Sequence, residues 1–208
     1  MAIIESELKL TDLIDVESLQ KIQDAFSDMS GIASMITNAS GTIQTKPSGF
    51  TDFCKKFVRN TEEGRKRCQE CDRLGVEKAA KAGGSCAYFC HAGLVAFAAP
   101  IMAHGHLVGC FIGGQMLTIP PDEEEIRHVA AEIGADADEM VRASQAIRIV
   151  DKETVRKVSN ALYTIANVLS DIAYSKYQVS LTNMELQKTS SMKSDFLANM
   201  SHEIRTPM

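Results

Sequence analysis

Residues 85–117, SCAYFCHAGLVAFAAPIMAHGHLVGCFIGGQML, contain three short runs of aromatic, β-branched and small apolar residues. Runs of this length and composition are typical of β-strands. Gly105 lies between the last two runs, where a hairpin turn is expected, and Pro120 and Pro121 follow the third run. The stretch therefore predicts three antiparallel strands that end before Pro120.

The segments on either side of this stretch predict helices and one further hairpin. Residues 8–30 have apolar positions at helical spacing, with Asp15 as a capping residue and Gly31 just past the end. Residues 32–47 alternate around a turn and predict a β-hairpin, and residues 51–82 predict polar helices. A further helix with an acidic first turn follows Pro121.

This order of elements predicts an α+β fold of the PAS/GAF type, an antiparallel sheet with covering helices. We expect one sensory domain over residues 8–148. A long coiled-coil helix over residues 149–190 and a short last segment over residues 191–208 are expected to follow it.

The coiled-coil prediction depends on the chain after Asp151, which has no Gly or Pro before Pro207. Apolar residues recur there at spacings of three and four, which favours a homodimer through residues 151–200. The alternative is a helix that packs on its own domain. The apolar positions are Val155, Val158, Leu162, Ile165, Leu169 and Ile172. A second stripe then runs through Ala173, Tyr177, Leu181 and Met184, so the pattern predicts a four-residue stutter.

Charge and hydropathy exclude several classes of function. The 208 residues carry a net charge of −5, which gives no electrostatic reason to expect nucleic-acid binding. No window approaches 18 apolar residues, and the start of the chain does not resemble a signal peptide. We therefore expect a cytoplasmic domain with no membrane segment.

Residues 193–208, KSDFLANMSHEIRTPM, resemble the H-box of the HisKA family of histidine kinases. The resemblance implies that His202 accepts a phosphoryl group, and that Glu203 and Thr206 support the removal of phosphate from a response regulator. The chain contains no glycine-rich nucleotide motif. Binding of ATP and kinase activity are therefore expected only in a full-length parent protein.

Four stretches of the middle region resemble the PocR sensory domain family. They are DFCKKFV (52–58), GRKRCQECD (64–72), YFCHAGLVAFAAPI (88–101) and GHLVGCFIGGQML (105–117). The resemblance implies a PAS-related fold that binds a small organic molecule, with simple alcohols and diols as the suggested class.

All six cysteines lie in this region. Cys68 and Cys71 form a C-x-x-C pair, and Cys54 and Cys90 are the best further ligands because each lies in a stretch that resembles the family. Four thiolates suit a structural zinc site, and an iron–sulfur cluster would use the same ligands. Buried free thiols and a regulatory disulfide are the alternatives. Cys86 and Cys110 are expected in the cores of strands.

The ligand pocket is expected between the sheet and its covering helices, with a mostly apolar lining and a few polar groups. The candidate ligand-binding residues are Phe53, Tyr88, His91, Phe97 and Gln115. For His91, a hydrogen bond to a ligand, a bond to a metal and a cap at the end of a strand all remain open.

The sequence therefore predicts a sensory input module of a two-component histidine kinase. It would bind a small organic ligand and pass the signal through a dimeric helix to His202. A cysteine-based redox or iron–sulfur sensor and a ligand-free dimerisation module are the two alternatives.

Overall fold

The computed structural model describes residues 8–204, and it describes 198, 199 and 201–204 by their backbone alone. Thr206 lies outside the described residues, and so do the side chains of His202 and Glu203. The backbone of His202 and Glu203 belongs to the last helix. No helix within residues 8–204 is both long enough and apolar enough to cross a bilayer.

Six α-helices and one π-helix are present in the described part of the chain. The caps of α2 agree with the sequence, because Asp15 accepts a hydrogen bond from the backbone N–H of Ser18 at 2.8 Å and Gly31 adopts a φ of 67°. The helices are α1 (Leu10–Leu13), α2 (Val16–Ser30), the π-helix (Phe53–Val58), α3 (Glu62–Ala82), α4 (Glu123–Ile133), α5 (Ala137–Ser144) and α6 (Lys152–Ile204).

Four antiparallel strands form a single sheet in the order β1-β4-β3-β2. Gly105 adopts a φ of 79° in the tight turn between β3 and β4, as expected. The predicted α+β fold, with an antiparallel sheet, covering helices and a long C-terminal helix, is confirmed. The strands are β1 (Ala33–Asn38), β2 (Cys86–Phe89), β3 (Val95–Ala103) and β4 (His106–Met116).

The two faces of the sheet are covered by different helices. Because side chains alternate along a strand, neighbouring residues contribute to different cores. Phe97 and Phe111 belong to the core that the sheet shares with α2 and α6. Met35 and Ile112 lie on the other face, where α3 covers them.

The predicted hairpin over 32–47 forms only in part. Its first half is β1, whereas the returning segment makes isolated bridges and no regular strand. Helix α2 provides the reason, since Gln23 donates to the carbonyl of Lys46 at 2.7 Å and Gln20 accepts from the Lys46 N–H at 2.7 Å. Pro47 also lacks a backbone donor for a strand ladder.

The first half of α6 packs on its own sheet, which corrects the coiled-coil interpretation for that part of the helix. The predicted seam mixes two environments, because Leu162 and Leu169 are fully buried whereas Ile172 is 38% exposed. A 3–4 spacing shows that a helix has an apolar face but does not show what covers that face. The sheet-facing residues are Val158, Leu162, Ala166, Leu169 and Ala173.

Candidate ligand-binding site

The four cysteines predicted as a group, Cys54, Cys68, Cys71 and Cys90, line one cavity between the sheet and α3. Its volume is about 60 Å³. The wall also includes Arg59, Asp72 and Gln115 together with apolar side chains of β1, β3 and β4. The lining extends from Ala33 to Gln115, so the fold brings together residues that lie up to 82 positions (115 − 33) apart in the sequence.

The π-helix positions one side of this cavity. In a π-helix the backbone bond spans five residues, and here the Arg59 N–H donates to the carbonyl of Cys54 at 2.8 Å. π-Helical turns are rare and occur frequently at functional sites. This turn places Cys54 and Arg59 together on the cavity wall.

Helix α3 provides the facing wall. It begins at a Thr61 cap and buries one stripe of residues along its length. Asp72 lies on this stripe, one turn beyond Cys68. The stripe consists of Gly64, Cys68, Asp72, Gly75, Val76 and Ala79.

The thiols of the cavity are in the protonated form at neutral pH. Burial raises the pKa of Cys68 from 9.0 to about 12 and raises the pKa of Cys54 still further. Burial also raises the pKa of Cys71 and Cys90. Because the thiolate is the reactive form, these side chains are poor nucleophiles as they stand.

A metal site is not preformed among the described residues. All six cysteines there are free thiols, and no group of three or more His, Cys, Asp or Glu side chains is arranged to hold one ion. The four predicted ligands share a cavity wall, but their side chains do not converge as a tetrahedral zinc site requires.

A buried ion pair is the most polar feature of the cavity. Arg59 donates from Nη2 to Asp72 Oδ2 at 2.8 Å, with the two side chains only 19% and 9% exposed. The guanidinium also lies 5.3 Å from the ring centre of Phe50. Burial raises the pKa of Asp72, and Arg59 opposes that rise.

Gln115 presents a fixed amide to the same cavity. Its Oε1 accepts hydrogen bonds from the backbone N–H and the hydroxyl of Thr51, at 2.8 and 2.9 Å. These two bonds hold the amide oxygen, so the amide nitrogen of Gln115 is the group that can donate to a ligand. Gln115 also adopts a φ of 65°, which is unusual for a residue other than glycine and occurs often at ligand clamps.

The other predicted ligand-binding residues are placed elsewhere. Phe97 lies on the α6 face of the sheet and is fully buried there, so strand alternation removes it from this cavity. Tyr88 lies under α3 outside the cavity wall. Phe53 and His91 line a second, larger cavity of about 550 Å³ between the β2–β3 turn, α4 and the segment around Pro120.

His91 lines the second cavity and contacts Cys68, which lines the first. Its Nε2 lies 3.4 Å from Sγ of Cys68, and Cys90 lines both cavities. Burial lowers the pKa of His91, so the imidazole is neutral near pH 7. Its Nδ1 is buried without a hydrogen-bond partner within the described part of the chain, as is the hydroxyl of Tyr88.

Sequence reasoning missed Arg59 and Asp72. The pair is separated by 13 positions, so no local helix spacing reveals it. The available signal was the position of Asp72 on the apolar stripe of α3, four residues after Cys68. A charged residue on a buried stripe needs a partner, and that partner becomes visible only when the π-helix is placed.

Comparison with known proteins agrees with this architecture. Residues 12–174 match the family model described as the sensory domain found in PocR. The regulatory protein PocR of Salmonella typhimurium is 35% identical over 103 residues, which cover 50% of this chain and 34% of that protein. No solved structure matches the chain. The match over more than half of its length shows that this chain belongs to the PocR sensory domain family.

Proposed function

We propose that this sensory domain binds a small, neutral, hydroxylated molecule in the cavity between α3 and the sheet. The observation that carries the proposal is the buried Arg59–Asp72 pair on the wall of that cavity, which Gln115 also lines. Binding sites of this kind combine a mostly apolar lining with a few placed polar groups.

The size of the cavity favours a very small ligand. One water-sized group needs on the order of 10–15 Å³ when volume is measured in this way. The cavity of about 60 Å³ therefore suits a molecule with few non-hydrogen atoms. Propanediols and glycerol are in this range, in agreement with the ligand class that the family resemblance implies.

The charge of the cavity favours a neutral ligand. Arg59 and Asp72 neutralise each other, so a buried carboxylate ligand would compete with Asp72 and leave an excess negative charge. Burial of an unpaired charge is strongly unfavourable. A diol avoids this penalty, because its hydroxyls can donate to Asp72 and accept from Gln115.

A thermal shift with the whole chain tests the ligand class. We expect 1,2-propanediol, 1,3-propanediol or glycerol to raise Tm, while propionate does not. A ligand that binds only the folded state at 100 times its Kd stabilises by about 2.7 kcal/mol. A larger shift with propionate than with every neutral compound would contradict the charge argument.

Two variants connect such a shift to the cavity. Ala96→Leu fills the cavity from β3, and Asp72→Asn removes the carboxylate acceptor; both should abolish the shift. Glu125→Gln is the matched control, because Glu125 lines only the second cavity. No shift with any compound in the wild-type chain would favour a ligand-free dimerisation module.

For the output, we propose that α6 carries the signal to His202 as the phosphoacceptor of a two-component histidine kinase. Support comes from the resemblance of residues 193–208 to an H-box and from the unbroken helix between the sheet and that segment. Glu203 and Thr206 would then support phosphate removal from a response regulator. In the full-length parent with ATP, His202→Gln should abolish autophosphorylation, and retained phosphorylation would reject this assignment.

A thiol-based sensor is the second candidate, because Cys54, Cys68, Cys71 and Cys90 line the same cavity. Metal and absorbance analysis of protein purified without oxygen tests it. About one zinc per chain would indicate a structural site, and brown protein with iron and sulfide would indicate a cluster. Neither metal nor colour would leave reduced thiols beside a ligand cavity.

A further inference from the structure

The second cavity is a cleft that follows α4 along its length and opens to solvent. Its lining includes Asp122, which caps the start of the helix, and Glu132, which lies near its end. At 1.5 Å per residue, the ten positions between them (132 − 122) correspond to about 15 Å. The turn between β2 and β3 forms the facing wall, where Gly93 is exposed. We call this elongated groove the α4 cleft.

Apolar side chains form both the floor and the rim of the α4 cleft. Phe53, Ile126 and Ile147 line it and are at most 8% exposed. Phe89 and Ile119 also line it, but each of them is 69% exposed. A molecule enclosed within the cleft would leave these two rim side chains in water. A partner whose surface continues past the rim would cover them, and exposed apolar surface of this kind is typical of interaction sites.

The unpaired charges of the α4 cleft are negative. Its lining contains Asp122, Glu125 and Glu132 but no Lys or Arg side chain. Arg67 neutralises Glu132, whereas neither of the other two carboxylates forms an ion pair with a residue that the structure describes. The first turn of α4 carries two further glutamates beside them. A complementary partner therefore brings positive charge, most of it to the end of the cleft where α4 begins.

An apolar floor with an acidic border is complementary to an amphipathic helix with a basic border. Such a helix inserts apolar side chains from one face, spaced three or four residues apart, into a groove. A groove of about 15 Å holds about ten residues of helix, or nearly three turns. A second copy of this chain is an unfavourable occupant, because both copies would carry a net charge of −5.

We propose that the α4 cleft docks a basic amphipathic helix from a separate partner protein. The apolar face of that helix enters the cleft and covers Phe89 and Ile119 at the rim. Its Lys or Arg side chains pair with Asp122 and Glu125. The inference goes beyond the ligand proposal and does not rest on it, because none of these four residues lines the ligand cavity.

Three labelled peptides of about 14 residues, long enough to form a helix, test the docking site with the whole chain. The first has Leu on one face and Lys on the other, the second replaces Lys with Glu, and the third replaces Leu with Ala. By fluorescence anisotropy, we expect a Kd in the micromolar range for the Leu/Lys peptide and binding at least about tenfold weaker for the other two. A Kd above about 1 mM for the Leu/Lys peptide, or equal binding of the Ala/Lys peptide, would overturn the docking site.

Two pairs of charge-matched variants locate the bound peptide. Ile119→Lys should weaken binding of the Leu/Lys peptide at least about tenfold, because it replaces apolar rim surface with a like charge. Met29→Lys is its control, since Met29 is 79% exposed and apolar but lies on α2. Glu125→Lys should weaken binding of that peptide and strengthen binding of the Leu/Glu peptide, whereas Glu185→Lys, on the far half of α6, should do neither.

Each pair makes the same change in net charge, so general attraction between an acidic chain and a basic peptide changes equally in its two members. Equal losses of affinity within either pair would therefore overturn the proposed site. Far-UV circular dichroism melts that match the wild type ensure that every variant is folded.

This test is separate from the ligand test, because no diol is present in it. A chain that binds the Leu/Lys peptide but shows no Tm shift with any diol would reject only the ligand proposal. A chain whose Tm rises with a diol but which does not bind the peptide would reject only the docking site.

Discussion

At the scale of single residues, the cavity is defined by side chains whose charge state depends on burial. Arg59 and Asp72 form an internally neutral pair, and the thiols beside them stay protonated. A site of this kind suits a small neutral guest and gives little reactivity toward oxidants.

The raised pKa of Cys68 predicts a loss of stability in alkali. In the unfolded chain this thiol ionises near its ordinary pKa of 9.0, whereas in the folded chain it does so near 12. Its contribution to stability is therefore complete below pH 9 and is lost as the pH rises from 9 to 12. Over that interval the wild type should lose up to about 1.4 kcal/mol per pH unit more than Cys68→Ser.

Urea unfolding of both proteins at several pH values between 8 and 11 measures this difference. The other titrating groups are common to the two chains, so their effects cancel. Parallel curves for the two proteins would mean that the Cys68 thiol is more accessible than its burial indicates.

At Gly75 in α3, we expect an alanine substitution to lower stability, although helix propensity alone would predict an increase. Alanine normally stabilises the interior of a helix relative to glycine by about 1 kcal/mol. At Gly75, however, a Cβ would lie 2.6 Å from ring atoms and the hydroxyl of Tyr88. Gly75→Ala should therefore destabilise by about 1–3 kcal/mol, because the ring must move.

Chemical denaturation of Gly75→Ala and Gly84→Ala tests this clash. Gly84 is the control, since a Cβ there would come no closer than 4.0 Å to the ring of Tyr163. An increase in stability for Gly75→Ala would show that Tyr88 is free to leave its place.

At the scale of elements, the two halves of α6 have different surroundings. Its first half completes the core under the sheet, and its far half extends beyond the domain. The ligand cavity lies on the opposite face of the same sheet. A signal from the cavity would therefore pass through β3 and β4 to reach α6.

The two sides of α6 respond differently to truncation of a side chain. Leu162→Ala should lower the free energy of unfolding by about 3 kcal/mol, because it opens a cavity in the core. Val168→Ala removes an exposed group and should change the free energy of unfolding by less than about 0.5 kcal/mol. Urea titrations measure both, and equal effects would contradict the one-sided contact with the sheet.

At the scale of the whole molecule, the sensory unit includes more of the chain than the first 148 residues. The family match runs to 174, and the sheet-facing residues of α6 run to Ala173. The boundary is set by what covers the sheet rather than by the point where the helical pattern begins.

Two truncated chains test this boundary. Residues 1–178 should unfold cooperatively within the roughly 3 °C of the full chain that 1 kcal/mol represents at this size. Residues 1–148 should show no cooperative transition, because one face of the sheet loses its cover. Thermal unfolding of both chains, monitored by circular dichroism, tests this prediction. A cooperative transition for residues 1–148 would support a domain boundary near residue 148.

The sequence by itself determined the four strands and the ends of α2, and it predicted neither the π-helix nor α5. It also singled out Cys54, Cys68, Cys71 and Cys90, which line one cavity. These follow from local rules: alternation, a capping Asp15, a turn at Gly105 and the family-like spacing around Cys68. The returning half of the hairpin over 32–47 departed from its local pattern, because Gln20 and Gln23 of α2 take its hydrogen bonds.

Only the tertiary structure decided which apolar face meets which partner. It turned Phe97 away from the cavity, brought Arg59 to Asp72 across 13 positions, and assigned Leu162 and Leu169 to the sheet. A periodic pattern specifies that a face is buried, since burial of apolar surface is non-directional. The identity of the covering element depends on the distances between segments far apart in the chain, which no local pattern contains.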